Sequence, residues 1–135
     1  MNTRMLLIAS ATFLGALGVA ASFLPLEILT FLDPGHDRAL ATIVQLLGAA
    51  LLGLAMLNWM AKGAPAGGIY GRPIVTANLV HFTVGGIALA KLAAVGELPA
   101  TAIALTAVYV IFAFCFGVAL FGRGPIGAIE HSGPG

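Results

Sequence analysis

Residues 39–61 read ALATIVQLLGAALLGLAMLNWMA, and this stretch decides the fold. It carries no charged side chain and no proline. A helix rising 1.5 Å per residue needs roughly 20 apolar residues to cross a hydrocarbon core about 30 Å thick. The same reading extends outward in both directions. Residues 5–24 and 98–122 are also free of charge, and residues 74–90 are free of charge until Lys91 interrupts the end of that block. Pro25, Pro34, Pro65, Pro73, Pro99, Pro125 and Pro134 sit at block edges or in the connections, where a missing N–H costs least. The pattern predicts spans at about residues 5–24, 39–61, 74–95 and 100–121 of one domain covering 1–122, with a flexible cytoplasmic tail at 123–135. The expected fold class is an all-α integral membrane four-helix bundle with short connections.

Composition agrees. Hydrophobic residues make up 60% of the chain and charged residues 8%, against roughly 45–50% and 25% in soluble domains. The net charge of +1 gives no footprint for a nucleic-acid partner. A single cysteine, Cys115, excludes an internal disulfide and a Cys-x-x-Cys redox pair. The first apolar block exceeds the ~7–15 residues of a secretory signal core, so it is expected to be a retained first span.

Positive charge near span ends sets orientation. Arg4, Lys62, Arg72 and Arg123 flank one side of the four blocks, while Glu27, Asp33, Asp37 and Glu97 gather in the other connections. Both termini and the 62–73 connection are therefore expected in the cytoplasm of a bacterial inner membrane. Residues 25–33 place Leu26, Leu29, Phe31 and Leu32 around Glu27 and Thr30. This predicts either a short helix lying in the outer interface or an extension of the first span.

Helices in lipid associate through small residues that let backbones approach. Ala11/Gly15, Ala49/Gly53 and Ala113/Gly117 are such pairs. They are expected to pack within the bundle, with a homo-oligomer or larger membrane complex as the sharper alternative. Phe112, Phe114 and Phe116 point in three directions on a helix and read as lipid-facing bulk and core filler.

Polar groups at membrane depth are the functional pointers. An inner layer is expected from Asn58 and Trp59 at one span end, Lys62, Tyr70 and Arg72 in the connection, and Asn78 and His81 early in the third span. Asn78 and His81 share a helix face. Gly67, Gly68 and Gly71 loosen the connection, and Pro73 suits a first helical position. The helix start with its two cations is a candidate anion site, with a lipid phosphate the most available anion. The bland alternative makes Trp59 and Tyr70 interfacial anchors and the cations topology signals. An outer layer holds Gln45 and Lys91, the latter either snorkelling or paired with Glu27, Asp33 or Glu97.

The runs Gln45-Leu-Leu-Gly48, Asn58-Trp-Met-Ala-Lys-Gly63 and Gly68-Ile-Tyr-Gly-Arg-Pro73, with Asn78 and His81-Phe82, resemble a group of small bacterial four-helix membrane proteins whose function is uncharacterised. The resemblance implies the fold and draws attention to those residues, and it brings no cofactor or catalytic residue. The acidic first span of small multidrug-resistance transporters and the paired cysteines of vitamin K epoxide reductases are both missing.

No catalytic or metal site is expected. The leading expectation is a non-catalytic interaction or accessory-subunit role in contact with membrane lipids. A lipid- or small-anion-binding or transport protein is the alternative. A haem or redox subunit using His81, with Cys115, is a third reading, and bis-histidine ligation there requires two copies of the chain.

Overall fold

A computed structural model describes residues 2–32, 38–64, 68–94 and 100–122. These form five helices: α1 (Thr3–Phe23), α2 (Pro25–Leu32), α3 (Arg38–Ala61), α4 (Gly71–Ala94) and α5 (Ala100–Phe121). No strand occurs among the described residues. The fold class is all-α, and α1, α3, α4 and α5 are each long and apolar enough to cross a membrane. The tail at 123–135, Asp33 and Glu97 lie outside the described residues.

Local chemistry sets the ends. The Asn2 side chain accepts a hydrogen bond from the Arg4 N–H at 3.1 Å, capping α1. At the other end the Leu24 N–H still donates to Ala20 O at 2.8 Å. Pro25 has no N–H to continue the ladder, and Leu24 leaves helical geometry with ψ 42°. The chain restarts as α2, with Ile28 N–H donating to Leu24 O at 3.1 Å. Residues 25–32 are thus a separate short helix rather than an extension of the first span. Leu29 is buried as expected, whereas Leu26, expected on the same side, is exposed.

The third long helix starts earlier than its apolar block. The Arg72 N–H donates to Gly68 O at 3.0 Å, and α4 opens at Gly71. Pro73 is consequently the third helical residue rather than the first. It is tolerated there because N–H groups of the first turn have no helical acceptor.

The chain divides into two compact units, residues 1–74 and 75–135. In the first, α1 and α3 pack antiparallel, and α2 rests on α3. Contacts step down α3 as they step up α1. A Cβ at Gly15 would lie 3.8 Å from Ala55 Cβ, one at Gly18 would lie 2.8 Å from Leu52 Cγ, and one at Gly48 would lie 2.5 Å from Ser22 Oγ. The buried residues Leu7, Ala11, Leu14, Gly18 and Ala21 of α1 recur every three or four positions, as do Gly48, Leu51, Ala55 and Asn58 of α3. That is the repeat of a helix pair crossing at a shallow angle.

In the second unit, α4 and α5 meet through rings. Phe82 is fully buried, with Phe112 stacked on it at 4.7 Å between centroids and Phe116 at 5.7 Å. Phe112 and Phe116, one turn apart and 6.4 Å between centroids, share the face that meets Phe82, while Phe114 is exposed, so the three rings take two directions rather than the three expected.

Candidate functional site

The expected inner layer falls into both units, and each part is described by itself. In the first unit Asn58 is fully buried. Its Nδ2 donates to Ser10 Oγ at 3.0 Å, and Ser10 Oγ donates to Leu7 O at 3.1 Å. The amide therefore has a partner in the helix it faces. Ser10 was not among the residues singled out from the sequence. The signal was there: in an antiparallel pair that sets Gly15 against Ala55, the next buried polar residue down α1 comes level with Asn58.

Beyond Asn58 the end of α3 turns outward. The Lys62 Nζ lies 3.3 Å from the centroid of the Trp59 ring, one turn back on the same side. Such a cation–π contact is worth about 0.5–1 kcal/mol at an exposed site. Ala64 N–H closes the turn on Ala61 O at 2.9 Å. In the connection Ile69 is 87% exposed and Tyr70 80%. Arg72 is exposed in the first turn of α4. Trp59 and Lys62 at the end of α3, and Tyr70 and Arg72 at the start of α4, have the composition of a membrane-interface belt.

In the second unit Asn78 is fully buried and His81 is half-buried. Both lie deeper than expected. Because α4 opens at Gly71, they stand roughly 10 and 15 Å from that end at 1.5 Å per residue, not in the first turns. His81 meets a residue the sequence reading passed over. The Tyr109 hydroxyl of α5 is 3.4 Å from His81 Nε2. Tyr109 is buried, its ring centroid 5.6 Å from the imidazole, and Phe82 stands edge-on to both rings at 5.2 Å. A tyrosine in an apolar block gives no periodic cue, which is why it was overlooked.

Of the outer layer, Gln45 is exposed and its Nε2 reaches Ser22 O at 3.5 Å, a long contact. Lys91 is exposed in the last turn of α4. Cys115 is half-buried. Among the described residues no three His, Cys, Asp or Glu side chains gather as metal ligands.

The three small-residue pairs part company. Ala11/Gly15 lies in the α1–α3 seam. Gly117 touches Leu79 across α4 and α5 at 3.8 Å from its would-be Cβ. Ala49 and Gly53 are both exposed, and a Cβ on Gly53 would meet nothing within 4 Å. They continue a stripe of exposed residues along α3: Thr42, Leu46, Ala49, Gly53, Met56 and Met60.

No family profile, no curated protein and no solved structure matches the chain.

Proposed function

We propose that this chain is a multi-pass inner-membrane protein with a non-catalytic interaction role. In this reading it acts as an accessory subunit or associates with its own kind through the outer face of α3. The observation that carries the reading is Gly53, bare at the centre of that face. A glycine inside a helix costs about 1 kcal/mol relative to alanine. A lipid-facing position has no use for it, because lipid tails fill any shape. A flat strip flanked by Leu46, Met56 and Met60 at alternating spacings of three and four suits a second helix instead.

A second reading, anionic-lipid binding at the cytoplasmic end, is favoured by the exposed Ile69 and Tyr70 in a connection that also carries Lys62 and Arg72. Aromatic and aliphatic side chains would enter the headgroup layer while the cations meet phosphate.

Native mass spectrometry of protein released from lipid nanodiscs tests both. The first reading expects the wild type to appear as a dimer or larger, or with a stoichiometric partner, and Gly53→Ile to appear alone. A wild type that is strictly monomeric and partner-free overturns it. The second expects retained anionic phospholipid that falls at least several-fold in Arg72→Ala. Equal retention in both proteins removes it.

A further inference from the structure

Side chains on a helix lean back over the preceding turn. Lys62, one residue past the end of α3, accordingly lies over the ring of Trp59, its Nζ 3.3 Å from the centroid. Both belong to the unit formed by residues 1–74. Lys62 is half-buried and Trp59 is 49% exposed. The ring draws the positive charge but offers it no lone pair. The three N–H donors of the ammonium therefore still call for oxygen acceptors.

The chain has few charged acceptors to give. Its acidic side chains are Glu27, Asp33, Asp37, Glu97 and Glu130, and none of them falls in α1, α3, α4 or α5. No long helix can bring Lys62 a counter-charge, whichever face it turns. Glu27 sits in α2, beyond the Phe23 end of α1. The antiparallel α3 ends near the other end of α1, roughly 30 Å away at 1.5 Å per residue. In the proposed orientation Glu130 alone shares a membrane side with Lys62. The end of an apolar span is bordered by the headgroup layer, and in the cytoplasmic leaflet that layer is anionic.

The ring also decides which headgroups fit. An open indole face attracts quaternary ammonium groups such as choline. Here Lys62 covers the face, so choline meets a like charge instead of a ring. A phosphate that carries net negative charge meets an ammonium already held in place. Lysine has much rotamer freedom to lose on being fixed. The ring has removed part of that freedom beforehand, which favours binding.

We infer that Lys62, pre-positioned over Trp59, is the anchor for the phosphate of an anionic phospholipid and turns choline headgroups away. The inference rests on the anionic-lipid reading above and names its anchor and its headgroup class.

The test uses the full chain in nanodiscs holding equal amounts of phosphatidylglycerol and phosphatidylcholine, with the lipids retained on release read by native mass spectrometry. The wild type is expected to keep phosphatidylglycerol in preference to phosphatidylcholine. Lys62→Gln should lower phosphatidylglycerol retention about fivefold, and Lys62→Arg should keep it. Trp59→Leu removes no charge, yet it should lower retention about two- to fivefold. That second loss should vanish in the Lys62→Gln background, because the ring acts through the ammonium. An equal loss in both backgrounds would make Trp59 a general interfacial anchor and overturns the inference. If Arg72→Ala sheds lipid while Lys62→Gln and Trp59→Leu do not, the inference falls and the anionic-lipid reading stands. If all three variants match the wild type, both fall. Displacement of the lipid by excess inorganic phosphate overturns the lipid assignment. So does a preference for phosphatidylglycerol that appears only in Glu130→Gln, since the tail then holds the ammonium. Should Trp59→Leu fail to fold, Trp59→Phe keeps a ring with a weaker pull on the cation, and unchanged retention together with unchanged retention in Lys62→Gln overturns the inference.

Discussion

Single side chains in this protein matter chiefly through what they meet across a helix seam. Asn58 and Ser10 show this most simply. Each is a polar group in an apolar helix, and each supplies the other's hydrogen bond at 3.0 Å. Hydrogen bonds between membrane helices average about 0.6 kcal/mol, with a maximum near 1.7. A double-mutant cycle with Ser10→Ala and Asn58→Ala, read as unfolding free energy in mixed detergent, should return a coupling of about that size. Ser10 still has Leu7 O after its partner is gone, so Ser10→Ala and Asn58→Ala should not cost the same. A coupling of zero would mean the two groups are satisfied elsewhere. The sequence made Asn58 visible because an amide stands out at membrane depth. Ser10 did not stand out, since serine hydroxyls in helices usually bond their own backbone and leave no trace in the pattern, and Tyr109 did not because its ring reads as one more apolar residue of the block.

At the scale of helices, glycine acquires meaning only from its surroundings. Gly18 and Gly48 face each other so closely that a Cβ on Gly18 would lie 2.9 Å from Leu52 N and 3.0 Å from Gly48 O, and one on Gly48 2.6 Å from Ser22 N. Those neighbours are backbone and cannot swing aside. Overpacking of this kind costs about 1–3 kcal/mol. Gly18→Ala and Gly48→Ala should each lower unfolding stability by that amount, whereas Gly53→Ala should raise the stability of the isolated chain by up to about 1 kcal/mol through helix propensity. Equal behaviour of the three variants would contradict the seam described. The apolar blocks and prolines located all four long helices, because length and charge are one-dimensional quantities. The seams were legible only as a set of small-residue pairs. Ala49/Gly53 has the same spacing as Ala11/Gly15, yet one pair is buried against a neighbour and the other lies open. Which face of a helix is used depends on its rotation, and lipid, being as apolar as leucine, does not write that rotation into the sequence. The early start of α4 was missed for a different reason: hydropathy marks the apolar residues of a helix, not the Gly71-Arg72-Pro73 turn that initiates it.

For the whole molecule, the four long apolar helices make an even number of crossings if each spans the membrane. Both ends of the chain then lie on one side, which in the proposed inner-membrane reading is the cytoplasmic one, expected from the positive charges Arg4, Lys62 and Arg72 near span ends. A reporter fused after Gly135 should be inaccessible to protease in intact cells and cleaved once the membrane is permeabilised. Cleavage in intact cells would reverse the orientation and move the 62–73 connection to the outer face. The lipid-binding reading would lose its anionic leaflet along with it. The site residues of the first unit were recognisable as a group because aromatic and basic residues cluster in one connection. His81 was recognisable by its rarity, but its depth and its tyrosine were not.

The tight meeting of Gly18 and Gly48 has one more outcome. Where main chain rests on main chain there is no gap for an ion, a water file or an acyl tail. Should anything ever travel through this protein from one compartment to the other, its route has to avoid the line between the first and third helices. That line works as a weld, and permeation studies can leave it aside.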